Sequence, residues 1–119
     1  NMLIENFDSL YSLQIIFNLF RQKPIESVFE KAKAKNVGII ARVPLASGVL
    51  SGRFSKETVF GESDHRNFNK DGAAFNVGET FAGVPFEKAV EFADTINSLK
   101  PSSMSLSEMA LRWILDFDA

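Results

Sequence analysis

VGIIARVPLASGVLSGRF, residues 37–54, is the stretch from which the fold can be read. It opens on a short apolar run, Val37-Gly38-Ile39-Ile40-Ala41, bounded by the turn-prone Asn36. Such a run, without polar alternation, predicts a strand buried on both faces, as in a parallel sheet. The strand leads directly into Pro44-Leu45-Ala46-Ser47-Gly48 and Ser51-Gly52-Arg53. Small residues let a backbone come close to a ligand, and Gly allows the dihedrals of a tight turn. Free N–H groups, a serine hydroxyl and an arginine at the end of a buried strand suit an anion cradle. An ordinary strand-to-loop turn has the same composition and is the plainer alternative.

Upstream, residues 10–19 are apolar, rich in Ile and Phe, and predict a buried strand. Gln14 and Asn18 are polar residues inside it, and a buried amide needs defined partners. Residues 24–35 predict a helix. Pro24 suits a first turn, and Ile25, Val28, Phe29 and Ala32 share one face. Lys31, Lys33 and Lys35 crowd its C-terminal end, where the helix dipole favours cations, and read as a solvated face. Asn36 suits the left-handed cap position. Strand, helix and strand with tight loops make a βαβ crossover, so the two strands should be parallel neighbours. Ahead of them, Leu3, Ile4 and Phe7 predict a short helix that Asp8-Ser9 ends.

Downstream, residues 44–84 show no sustained helical or strand period and are rich in Gly, Asn, Asp and Ser. Connections this long are usually functional or disordered, and residues 55–81 are expected to be mobile without a ligand. Pro85 then opens a helix marked by Phe86, Ala89, Val90, Ala93, Ile96 and Asn97, which Lys100-Pro101 stops. A capping box, Ser105-Leu106-Ser107-Glu108, starts another helix, whose stripe runs through Met109, Ala110, Trp113, Ile114 and Phe117. Trp113 and Met109 read as core.

The 119 residues are 45% hydrophobic and 24% charged, which suits one globular domain. A net charge of -2 gives no reason to expect nucleic acid or an anionic membrane as partner. No apolar run approaches the roughly 20 residues of a membrane span, and no signal-peptide pattern begins the chain. The absence of cysteine excludes disulfides and thiolate metal sites and fits a reducing compartment. Twelve Phe suggest a well-filled core. His65, the single histidine, has no identifiable acid–base partner. Glu87 and Glu91 read as a helix-surface pair, since a metal site needs more converging ligands.

ARVPLASGVLSGRF is similar to the seventh-strand segment of the aldo-keto reductases, where a Pro-Leu-x-x-Gly-x-Leu-x-Gly-Lys/Arg pattern follows the strand. Leu13-Gln14-Ile15-Ile16-Phe17-Asn18 resembles that family's sixth strand. Asp64-His65-Arg66-Asn67-Phe68 and Gly78-Glu79-Thr80-Phe81-Ala82-Gly83 resemble a bacterial-type branch. Ser107-Glu108-Met109-Ala110-Leu111-Arg112-Trp113-Ile114-Leu115 is similar to the helix before the last barrel strand. The resemblance implies an α/β fold: the C-terminal part of a (β/α)8 TIM barrel, with two parallel strands and three main helices in one partial domain. A whole barrel needs about 250 residues. The chain is therefore expected to be either a short reading frame begun at Met2 or a piece of a longer protein.

The resemblance further implies NADP(H) as cofactor of the intact protein, hydride transfer to or from a carbonyl or alcohol, and a cytoplasmic location. Gln14 matches the glutamine that contacts the nicotinamide carboxamide. Arg42 stands where many members stack Tyr or Trp on the nicotinamide, a role an arginine plane also fills. Val43, Pro44, Leu45, Ala46, Ser47 and Gly48 match the pyrophosphate-facing loop. Arg53 matches the basic residue that pairs the diphosphate, and Arg66 a later basic residue of the same loop. The family's catalytic Tyr, Lys, Asp and His fall in the first half of the barrel, and Tyr11 is in the wrong place to match the tyrosine. No catalytic residue is assigned, and the chain alone is expected not to turn over substrate. A non-catalytic module that associates through open sheet edges, with another copy or with an N-terminal half, is the alternative.

Overall fold

The computed structural model describes residues 2–64, 66 and 84–119. His65 and the motifs at 67–68 and 78–83 lie outside them, as does the stretch expected to be mobile from residue 67 on. A short helix, α1 (Met2–Asn6), comes first and buries Ile4. Strands β1 (Ser12–Ile16) and β2 (Gly38–Arg42) then pair in parallel, from Ser12 opposite Gly38 to Ile16 opposite Arg42. The connection between them is helical, as the sequence predicts. A π-helical turn, Ile25–Phe29, follows Pro24 and runs on into α2 (Glu30–Ala34). Asn36 takes the expected left-handed conformation at φ 55°. The Val37 N–H then reaches back to the Ala32 carbonyl at 2.8 Å, closing the helix against the start of β2.

Three expectations need correction. The first strand is five residues long and does not extend over 10–19, because Asn18 turns the chain. Its carboxamide oxygen accepts the N–H groups of Phe20 and Arg21 at 2.9 and 3.0 Å, offering the backbone a turn instead of a ladder. The second strand is covered on one face. Leu13, Ile15, Ile39 and Ala41 are half-buried, whereas Ser12, Gln14, Ile40 and Arg42 are exposed. Gln14 is thus not a buried amide. Side chains alternate across a strand, and the described helices pack against only one set. Finally, residues 44–84 are not wholly irregular: a 3-10 segment, Ala46–Ser51, follows β2 and is kinked at Ser47-Gly48.

The two remaining helices begin and end where the sequence predicts. Helix α3 (Phe86–Leu99) buries Phe86, Ala89, Val90 and Ala93 and stops at the extended Lys100. Helix α4 (Leu106–Leu115) carries the complete capping box, with Glu108 N–H to Ser105 Oγ at 3.2 Å and Ser105 N–H to Glu108 Oε2 at 2.7 Å. That reciprocal pair satisfies two N–H groups that a helix start otherwise leaves unbonded.

Apolar packing joins these pieces. Ile4, Ala32 and Val37 form a core on the covered face of the sheet. Val49, Phe60, Phe86, Ala89, Val90, Ala93 and Leu106 form another beneath the segment that follows β2. Ala46 and Leu50 bury against Ala110 of α4. The fully buried Phe17 stacks on Trp113 with centroids 5.0 Å apart and meets Phe29 and Phe117 edge-on. The end of β1 is thereby fixed to the crossover helix and to α4. Lys31, Lys33 and Lys35 remain at the surface, in ion pairs with Glu5, Asp118 and Asp8. No helix among the described residues is long and apolar enough to cross a membrane.

Candidate functional site

The backbone after β2 leaves the strand abruptly. Val43 is left-handed at φ 53°, followed by Ala46 at 49°, Ser47 at 57°, Gly48 at 97° and Gly52 at 74°. Left-handed dihedrals are uncommon outside Gly, Asn and Asp, and for a β-branched residue such as Val43 they are a true outlier. Outliers of this kind persist where the surroundings over-determine them, which is frequent at ligand clamps. Here the surroundings are identifiable. The Val43 carbonyl accepts the Ala46 N–H at 3.0 Å and the Asn18 carboxamide at 2.9 Å. Ser51 Oγ donates to the Gly48 carbonyl at 2.6 Å and accepts the Arg53 N–H at 3.3 Å. The hydroxyl of Ser51 therefore closes the loop on itself.

Gly48 sits where a side chain would be crowded. A Cβ there would lie 3.1 Å from the Phe54 ring and 3.3 Å from an Arg66 guanidinium nitrogen, on a backbone already at positive φ. Arg66 covers this loop from above. It donates to the Ser47 carbonyl at 3.3 Å and lies over the rings of Phe54 and Phe60, 5.3 and 4.8 Å from their centroids. Asp64 grips it in a fork, through Nε at 2.9 Å and Nη2 at 2.6 Å. The hydrogen bonds of Asp64 hold the guanidinium further into its charged range, against the opposing effect of desolvation. Asp64 stood in the motif with Arg66, but nothing in the sequence marked Phe54 and Phe60 as the rings beneath that guanidinium.

The positions singled out by sequence fall into two groups. Gln14 lies opposite Ile40 and two residues from the partner of Arg42, so Gln14 and Arg42 share the exposed face of the sheet near its C-terminal end. Residues 43–48 continue from that end, with Arg66 against Ser47 and Gly48. Arg53 stands apart, exposed beyond the left-handed Gly52. Neither Arg42 nor Arg53 has an ion-pair partner among the described residues. Tyr11 is exposed at the opposite end of the sheet, just ahead of β1. Among the described residues no cluster of acidic, His or Cys side chains could hold a metal ion. Glu91 pairs with Lys56 and Lys88 at 2.7 and 3.2 Å, a surface arrangement.

Three comparisons bear on this arrangement. The chain is 27% identical over 124 aligned positions to the aldo-keto reductase YhdN of Bacillus subtilis, covering 98% of this chain and 35% of that protein. Its structure is similar to that of the glycerol dehydrogenase AKR11B4 from Gluconobacter oxydans, with a TM-score of 0.68 and 26% identity over 88% of this chain and 30% of the other. The chain thus spans about a third of the length of these relatives, and its fold is a partial TIM barrel. The model of the Aldo/keto reductase family matches residues 4–119. The chain belongs to the aldo-keto reductase family.

Proposed function

We propose that this chain forms the C-terminal portion of an NADP(H)-dependent aldo-keto reductase barrel, one partial domain that contributes the pyrophosphate- and nicotinamide-facing part of the cofactor site. The observation that carries the reading is the set of left-handed residues Val43, Ala46, Ser47 and Gly48, at the strand end whose exposed face carries Gln14 and Arg42. Alternating right- and left-handed residues can turn successive N–H groups toward one side, which suits a phosphate; in this loop those of Ala46 and Gly48 bond the Val43 and Leu45 carbonyls at 3.0 Å and would have to exchange partners to reach one.

When bound, NADPH would give a hydride to a carbonyl, and NADP+ would accept one from an alcohol. The chain's residues bind and orient. Arg42 offers a planar cation for the nicotinamide face, and Gln14 a carboxamide for its amide. Arg53, an exposed cation without an ion-pair partner among the described residues, is the one that pairs the diphosphate in this reading, since a guanidinium grips two oxygens at once. Arg66 braces the loop through Asp64 and Ser47, and reaches a phosphate by exchanging its carboxylate partner. No described residue is assigned as proton donor, since Tyr11 lies at the far end of β1. The chain alone is therefore not a competent reductase, and a cytoplasmic location accompanies the reading.

Equilibrium titration of the purified chain with NADPH tests this. Saturable binding that Arg53→Ala weakens about tenfold, without turnover of a generic aldehyde, is the expected result. No binding at millimolar cofactor would overturn the site, and turnover would overturn the claim of incompetence. One observation favours a second reading, an assembly module: the two-stranded sheet leaves Ile40 half-exposed on an uncovered face. So small a sheet is marginal alone. Concentration-dependent sedimentation supports assembly, and a monomer at every concentration removes it.

A further inference from the structure

We propose that Asn18 is a positioning residue that sets the left-handed conformation of the loop after β2 and, through it, the affinity for the cofactor; this rests on the cofactor reading above. Asn18 is fully buried, and the other large side chains that are fully buried among the described residues are apolar. Its carboxamide does two different things at its two ends. The oxygen accepts from Phe20 and Arg21, fixing the turn after β1. The nitrogen donates to the Val43 carbonyl, 25 residues away, at the first left-handed residue after β2. Three of the four hydrogen bonds open to the amide are thus made, two as acceptor and one as donor. Reversing the carboxamide would set its nitrogen against two N–H groups and its oxygen against a carbonyl, so the orientation is settled by the partners.

The Val43 carbonyl is the hinge of the loop. It also takes the Ala46 N–H, which begins the turn leading to Ser47 and Gly48. A valine does not hold a left-handed backbone by its own preference. The donor of Asn18 ties that carbonyl to the end of β1, whose last turn is itself locked by Phe17 in the aromatic cluster. Aspartate would preserve both acceptor bonds but set an oxygen against the Val43 carbonyl. Serine would preserve an acceptor for the local turn and fall short of Val43. The two substitutions therefore separate the turn from the tie.

The experiment compares the full chain with Asn18→Asp and Asn18→Ser, isotopically labelled, by two readouts. One is the left-handed signature of Val43 in its coupling constants and carbon shifts, together with exchange protection of the Ala46 amide. The Val37 and Ala89 amides serve as internal controls for global stability. The other is NADPH affinity. Both variants are expected to lose the Val43 signature and at least tenfold in Ala46 protection, with the controls unchanged, and to bind NADPH about tenfold more weakly. An unchanged Val43 signature in a folded variant overturns the proposal. So does a lost signature with unaltered affinity, or a uniform loss of protection across loop and controls. Should Asn18→Asp not fold, Asn18→Ser decides by the same criteria. If wild type binds no NADPH while the signature still follows Asn18, the cofactor reading fails and the hold on the loop stands.

Discussion

Strand β2 is flanked by left-handed residues, and the two flanks solve the same steric problem differently. At its start stands Asn36 at φ 55°, and at its end Val43 at φ 53°. Asparagine tolerates that region, so the start is solved by the choice of residue. Valine does not, so the end is held from outside, by a buried carboxamide from the neighbouring strand's turn. The surroundings differ too. Near the start, exposed ion pairs link Lys31 to Glu5 and Lys35 to Asp8. The network around Asn18 contains no titratable side chain. A conformation the residue prefers can be local; one that it resists needs long-range support, and that support collects where the site is.

The comparison can be broken in three ways. Asn18→Leu should have the largest effect. It leaves the buried turn after β1 without its acceptor and Val43 without its second donor, at a cost of about 2–3 kcal/mol, read from the urea midpoint at constant slope. A shift below about 0.5 kcal/mol would show that the end of β2 needs no outside support. Exchanging residue types between the ends should come next. Asn36→Val is expected to cost about 1–2 kcal/mol, whereas Val43→Gly should stay near wild type as relief of strain and loss of chain stiffness offset each other. Equal losses at both ends would erase the distinction.

Acid should loosen the start of β2, and weakly. The hydrogen bond from Lys31, and then its charge, holds the Glu5 carboxyl below the usual carboxylate range. A depressed carboxylate stabilises the fold fully above its unfolded value of about 4.3, and this is lost as pH falls through the lower folded value. Protection of the Val37 amide should therefore fall across that acid window, while that of Ala46, corrected for intrinsic exchange, does not. The effect is small because the pair is exposed. Parallel titration of both amides would remove the contrast.

Much of the fold was legible because its signals are local. Pro24, the apolar face of the crossover helix, Asn36 and the apolar run after it predict a parallel βαβ unit, and the structure has one. The capping box Ser105-x-x-Glu108 was readable for the same reason. The open face of the sheet was not, since an apolar run says nothing of how many faces its neighbours cover. The 3-10 segment Ala46–Ser51 is too short and too kinked to show a period. In the site, the small residues after β2 were visible as a loop, but Asn18 read only as an amide in need of partners. Its decisive partner is a carbonyl 25 residues away, and a backbone carbonyl has no letter in the sequence.

Gly48 carries a consequence for how this sequence can drift. Its missing Cβ is the space filled by the Phe54 ring and the Arg66 guanidinium, and Arg66 in turn is held by Asp64. Four positions spread over nineteen residues therefore form one unit of inheritance. A lineage that acquired a side chain at 48 would have to strain the backbone at φ 97° and shift the Phe54 ring and the Arg66 guanidinium, so the most permissive residue in the loop is among the least free to change.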